Sequence, residues 1–255
     1  MERHRFHKGI YILPNLFTSL NVFCGFFAVI LSIEGNFRLA ASVIVIAGLC
    51  DGLDGKIARA TRTTSRFGVE FDSLADLISF GIAPALMFYL WAMTPLGRLG
   101  WLAGFLFTIC GALRLARFNT QTGTSSNEFF TGLPIPAAAG MLATIILFCD
   151  RLLLTESIPP VLFLLPVYGL SFLMVSTIRY HSFKKPHLFR RINFNVLVGV
   201  ILVFIFIAAE PSIALFISST IYVASGPMSG LRQRKVPEAA EEVDRTKEEE
   251  HPKVI

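Results

Sequence analysis

Asp51-Gly52-Leu53-Asp54-Gly55-Lys56-Ile57-Ala58-Arg59, followed by Gly68, Asp72 and Asp76, places four aspartates within 26 residues. Asp51 and Asp54 are three apart and Asp72 and Asp76 four apart, so in a helix each pair shares one face. Long apolar runs flank the stretch on both sides. A carboxylate turned to lipid is costly, so the four must face one another, water or cations. A polynuclear metal site on membrane-embedded helices is the direct chemical solution.

The rest of the chain agrees with that framework. Of 255 residues 53% are hydrophobic, 24 are Phe and only 16% are charged. A soluble domain of this size carries about a quarter charged residues. The expected fold class is therefore all-α, a polytopic transmembrane helical bundle. Residues 1–228 read as the transmembrane domain, with a catalytic core over about 10–180. Residues 229–255 are rich in Glu and Lys, almost without aromatics, and read as a charged, disordered cytoplasmic tail.

Cys24, Cys50, Cys110 and Cys149 each lie in or beside an apolar run, without metal-ligand spacing, and read as small core residues. The five histidines form no cluster. Arg3, Arg5 and Lys8 precede the first apolar run as in a signal peptide. That run continues to about Ile33 with no small-residue cleavage site, so it reads as a retained first span.

A hydrocarbon core of roughly 30 Å needs about 20 helical residues. On that ruler, eight spans fall near 11–33, 38–60, 70–94, 99–117, 134–150, 158–179, 193–209 and 211–226. Prolines 14, 84, 134, 136, 159, 160 and 211 lie near their boundaries or interrupt them. Alternate loops carry 17 Lys and Arg against 3, the minority being Arg38, Arg98 and Arg151. The positive-inside rule then puts both termini, and all four aspartates, on the cytoplasmic side.

Clustered carboxylates beside a basic connection suit a divalent cation holding a diphosphate. Mg²⁺ and Mn²⁺ prefer oxygen ligands and commonly share their shell with substrate phosphate. Gly52 and Gly55 clear side chains from the helix face, and Arg59 and Lys56 offer positive charge. Two other readings remain open at this point. Intramembrane aspartates also serve cation or proton transport, and the Gly48-to-Gly52 spacing also packs helices.

Asp51-x2-Asp54-Gly55-x2-Ala58-Arg59-x8-Gly68-x3-Asp72-x3-Asp76 resembles, at every defined position, the signature of the CDP-alcohol phosphotransferase family. The resemblance implies that Asp51, Asp54, Asp72 and Asp76 hold two Mg²⁺ or Mn²⁺ ions and that Asp76 is also the general base. It further implies that Gly52, Gly55, Ala58, Arg59 and Gly68 form the CDP-binding surface.

Three further segments resemble the membrane-bound phosphatidylserine synthases. They are Pro14-Asn15-Leu16-Phe17-Thr18-Ser19-Leu20-Asn21-Val22-Phe23-Cys24-Gly25, Gly111-Ala112-Leu113-Arg114-Leu115-Ala116-Arg117-Phe118-Asn119, and Phe130-Thr131-Gly132-Leu133-Pro134-Ile135-Pro136. With the signature, the likeness extends over most of residues 10–140. It implies a transferase that moves the phosphatidyl group from CDP-diacylglycerol to L-serine and releases CMP. Arg114 and Arg117 are then candidates for the serine carboxylate, or else interfacial anchors. Among the lipid- or serine-binding candidates, Thr18 and Asn21 line the nucleotide or lipid-phosphate site or else hydrogen-bond between helices, and Asn119 and Ser79 are weaker. Ser65, Arg66 and Phe67 belong to the loop over the site, where Arg66 meets a phosphate or is a solvated loop charge.

The expected partners are CDP-diacylglycerol, L-serine, membrane lipids and a second copy of the chain as a homodimer, with no nucleic acid. The expected location is a bacterial or archaeal inner membrane. Alternatives within the family use glycerol 3-phosphate or an inositol phosphate as acceptor, or an ether lipid as in archaetidylserine synthases.

Overall fold

Helix α1 (Ile12–Ile33) is long enough, at about 1.5 Å per residue, to cross a hydrocarbon core. It stops at Gly35, whose φ of 80° suits a residue without Cβ. Asn36 N–H donates to Leu31 O at 2.8 Å and Gly35 N–H to Ser32 O at 3.2 Å. That pair of bonds is a Schellman cap, and it turns the chain straight into α2 (Phe37–Thr61).

The computed structural model describes residues 12–61, 66–121, 130–155, 157–180 and 207–233. After α2 come α3 (Arg66–Asp76), a π-helical segment (Leu77–Ile82), α4 (Ala83–Phe88), a second π-helical segment (Tyr89–Met93) and a 3₁₀ turn (Thr94–Leu96). Helix α5 (Arg98–Gln121), strand β1 (Phe130–Thr131) and α6 (Ile135–Arg151) follow. A 3₁₀ turn (Pro160–Phe163), α7 (Leu164–Val175), β2 (Arg179–Tyr180) and α8 (Pro211–Gln233) complete the described chain.

The described residues are thus helical, as expected, apart from one two-residue antiparallel ladder among them, pairing Phe130 with Tyr180 and Thr131 with Arg179. Among the described residues, three stretches are long and apolar enough to cross a membrane: Asn15–Ile33, Phe67–Leu96 and Arg98–Thr120. The segment expected to span 158–179 is shorter, its α-helix running only from Leu164 to Val175. Helix α8 continues to Gln233, five residues past the expected domain boundary at 228. The expected span at 193–209 and the rest of the tail lie outside the described residues, save for helical 207–209.

Both π segments precede a proline. Pro84 has no N–H to give its helix and its ring crowds the carbonyl four residues back, so the backbone widens to re-satisfy its bonds. Ala83 N–H accordingly reaches back five residues to Ile78 O. Pro95 stands in the same relation to the second segment.

Helix α1 packs along α2, α2 also against α6, α6 against α8, and α5 against α7. Lipid tails are as apolar as Leu, so close backbone approach and internal hydrogen bonds hold such helices together. Ala28, Ala40, Ala41, Ala47, Ala138 and Ala139 are buried at these contacts. The large buried side chains Phe80, Phe88, Met87, Phe107 and Ile146 fill the centre. Phe88, Trp91 and Phe163 add edge-on and tilted ring pairs with centroids 4.9–6.0 Å apart.

Candidate active site

Asp51 lies in the second half of α2 and Asp72 and Asp76 in α3, one turn apart. These helices fold back on each other, and one carboxylate oxygen from each aspartate comes within 4.8 Å of the other two. Asp72 is exposed, whereas Asp51 and Asp76 are half-buried, so the cluster opens outward through Asp72. Like charges at that spacing repel by at least about 3 kcal/mol per pair at an effective dielectric near 20. A divalent cation offsets that cost.

The donors fit such an ion. All three are carboxylate oxygens, with no His or Cys among them, which is the set Mg²⁺ and Mn²⁺ take. The backbone of Asp54, Gly55, Lys56, Ala58 and Arg59 continues α2, but the side chains of residues 53–66, Arg66 among them, lie outside the described residues. Ser65 lies outside them altogether. Phe67 is exposed and stacks on Phe71.

Helix α1 supports the inner member of the cluster. Asn21 Nδ2 donates to Asp76 Oδ1 at 3.4 Å, and Ser79 Oγ donates to the Asn21 carbonyl at 2.7 Å. This pairing needs near-contact of backbones. A Cβ on Gly25 would lie 2.7 Å from Ser79 Cα, so only glycine lets α1 sit this close to the π segment. Thr18 is half-buried one turn before Asn21 on the same helix.

The glycines of α2 separate packing from ligand approach. A Cβ on Gly48 would make an ordinary 3.7 Å contact with Phe80, and one on Gly52 would meet nothing within 4 Å among the described residues. The Gly48-to-Gly52 spacing is therefore no tight helix seam. Gly52 leaves open space beside Asp51, as a site that receives a bulky ligand requires. Gly68 is half-buried, one turn before Asp72.

The cations expected near the site part company. Arg114 is buried and close enough to Asp76 to interact with it electrostatically. Arg117 donates from Nη1 to Val175 O and from Nη2 to Ser176 O, both at 3.1 Å, and so caps the C-terminal end of α7. Asn119 donates to Ser73 Oγ at 2.9 Å and Glu70 Oε2 at 3.4 Å, fastening α5 to the outer face of α3.

One neighbour escaped the sequence reading. Tyr222 of α8 interacts with Arg114 and lines a cleft of about 310 Å³ between α2, α6 and α8. Gly48 lines the same cleft one turn before Asp51. Tyr222 carries no motif, and only its aromatic ring set it apart from the serines and Thr220 of the same helix.

Matching against known families places residues 11–175 on the CDP-alcohol phosphatidyltransferase model. The chain belongs to this family. A CDP-diacylglycerol–serine O-phosphatidyltransferase of Helicobacter pylori is 41% identical over 217 residues, which cover 85% of this chain and 90% of that protein. The Bacillus subtilis protein of the same name is 36% identical over 68% of this chain and 92% of its own length. An archaetidylserine synthase of Methanothermobacter thermautotrophicus is 45% identical over 129 residues, half of this chain. The match to the family ends at α7, so α8 and its Tyr222 lie beyond it.

Proposed function

We propose that this membrane protein transfers the phosphatidyl group of CDP-diacylglycerol to the hydroxyl of L-serine, forming phosphatidylserine and CMP. The observation that carries this reading is the convergence of Asp51, Asp72 and Asp76 in a chain 41% identical to a serine O-phosphatidyltransferase. Serine appears in the names of both the bacterial and the archaeal relatives, which favours it over glycerol 3-phosphate or an inositol phosphate.

In this reading Asp51, Asp72 and Asp76, with Asp54 one turn beyond Asp51, hold two Mg²⁺ or Mn²⁺ ions. When bound, these supply positive charge that polarises the phosphoryl group and stabilises the departing CMP. The chain's own residues do the rest. Gly52, Gly55, Ala58, Arg59 and Gly68 form the surface against which the cytidine diphosphate lies. Asp76, aimed by Asn21, takes the proton from the serine hydroxyl, whose oxygen attacks the phosphorus joined to diacylglycerol. The bond from that phosphorus to the CMP oxygen breaks. Positioning and electrostatics carry most of the catalysis in such transfers.

The alternation of basic loops supports eight spans with both termini, and the aspartates, on the cytoplasmic side of a bacterial or archaeal inner membrane. Serine reaches the site there, while the lipid enters laterally and keeps its acyl chains in the bilayer. A homodimer belongs to the same reading, as does a separate charged tail after residue 228.

An acceptor panel tests the proposal. The reconstituted protein, given CDP-diacylglycerol and Mn²⁺, is expected to release CMP with L-serine and not with glycerol 3-phosphate or an inositol phosphate. Chelation should stop that release and added Mg²⁺ or Mn²⁺ restore it. Release that ignores chelation would remove the metal assignment. Divalent-cation flux through proteoliposomes without CMP release would replace the transferase with a transporter.

A further inference from the structure

Among the described residues, two buried side-chain polar atoms have no hydrogen-bond partner: Asn21 Oδ1 and Arg114 Nε. Asn21 is 6% exposed and Arg114 9%. Each atom has given up water without a replacement within the protein, which is rare enough to need a cause. One is an acceptor and the other a charged donor.

Both stand beside Asp76. Asn21 is bonded to it directly. Arg114 is placed by the register of α5 on the third span. Thr108 Oγ1 donates to Gly81 O at 3.5 Å, and Asn119 Nδ2 to Ser73 Oγ at 2.9 Å, so the two run antiparallel. From Thr108 to Arg114 the rise is about 9 Å, and from Gly81 back to Asp76 about 7.5 Å. Arg114 is therefore level with Asp76, and the electrostatic interaction between them agrees.

We infer that Asn21 Oδ1 and Arg114 Nε are the two recognition atoms for a zwitterionic amino-acid acceptor. Asn21 Oδ1 accepts from its ammonium, and Arg114 Nε donates to its carboxylate. The inference rests on the serine reading above and deepens it. A phosphate-bearing acceptor brings a dianion that one donor atom serves poorly, and only neutral hydroxyls, not an ammonium, for Asn21 Oδ1. An amino acid brings one donor group and one acceptor group, matching the orphaned pair. Arg117, engaged with two carbonyls at the end of α7, fastens helices and is not the carboxylate partner. With both charged ends held beside Asp76, the hydroxyl is the group left to meet the acid.

The test uses full-length protein in lipid nanodiscs with CDP-diacylglycerol and Mn²⁺, reading CMP release. Ethanolamine, which lacks the carboxylate, and 3-hydroxypropionate, which lacks the ammonium, compete against L-serine. In the wild type each analogue should bind about tenfold or more weaker than serine, because each forfeits a charge-assisted bond. Asn21→Leu should erase the penalty for 3-hydroxypropionate and keep the penalty for ethanolamine. Arg114→Gln should do the reverse, and in both variants the KM for CDP-diacylglycerol should stay within about twofold. Asn21→Ser, smaller and still polar, gives the same comparison if the leucine variant does not fold. Penalties that survive in the variants, or a fall in kcat with every ratio intact, would overturn the inference and leave Asn21 only a support for Asp76. Wild-type release with glycerol 3-phosphate and none with serine would instead overturn the serine reading itself.

Discussion

In the second half of α2, Asp51 joins Asp72 and Asp76 of α3 with their oxygens 4.8 Å apart or less. About 20 Å away, at the start of the same helix, Arg38 lies 3.7 Å from Asp150, and next to it Arg151 grips Glu210 through two bonds of 3.0 and 2.6 Å. Both ends of the bundle are charged, but one gathers like charges and the other matches opposite ones. Matched pairs need nothing from outside, and exposed ones such as these contribute little to stability. Gathered carboxylates are unfavourable by themselves and become favourable when a cation arrives. The difference separates an end that pairs opposite charges from the end where the three carboxylates of the candidate site converge.

The sharpest way to break that contrast is Asp76→Asn. Turnover should fall at least about a thousandfold, while titration with CDP-diacylglycerol still gives saturable binding. Wild-type-like CMP release would remove the general-base assignment. A smaller and more diagnostic effect concerns stability. Without divalent ions, Asp51→Asn should raise the melting temperature by relieving repulsion, and with Mn²⁺ the order should reverse as the wild type gains more from binding. A metal-free variant that melts lower than the wild type would mean the carboxylates are not opposing one another.

The smallest effect is expected at the matched end. The hydrogen bond from Arg151, with its charge, holds the Glu210 carboxyl below its ordinary value of 4.5. A depressed carboxyl contributes stability that is whole above about 4.5 and is lost as pH falls through the lower folded value. Glu210→Gln should therefore flatten a slight fall in melting temperature below that pH and leave kcat unchanged. A large loss of turnover would show the far end coupled to the chemistry.

How much of this was legible in the sequence follows from the range of each interaction. The aspartate spacing, the oxygen donor set and the helices at 12–33 and 37–61 depend on neighbours in the chain, and they could be read directly. The fate of Arg117 could not, because its carbonyl partners lie 58 and 59 positions away. Nothing local separates a capping arginine from one that holds a substrate, and Arg114, three residues earlier, shares its helix face. The two π segments were half legible. Pro84 and Pro95 announce a disturbed helix but not whether it kinks, breaks or widens. The end of α8 was not legible because the boundary at 228 marks where hydropathy changes, and the helix continues to Gln233 after the apolar run stops.

The widened turn at Leu77–Ile82 has a consequence for how this chain can vary. A π turn holds one residue more than the α turn it replaces, so losing any one residue there would restore ordinary helix. Everything beyond it would keep its angular phase relative to Asp72 and Asp76, because each kind of turn closes one full rotation. The bonds from Ser79 to Asn21 and from Thr108 to Gly81 are made inside the widened turn and would be redrawn there. Substitutions can be absorbed at such a place one side chain at a time. A single-codon deletion can be absorbed there too, since it closes the turn without changing the angular phase between the acid cluster and the half of the span beyond it. The same deletion in the α-helical part would turn that half by about 100°.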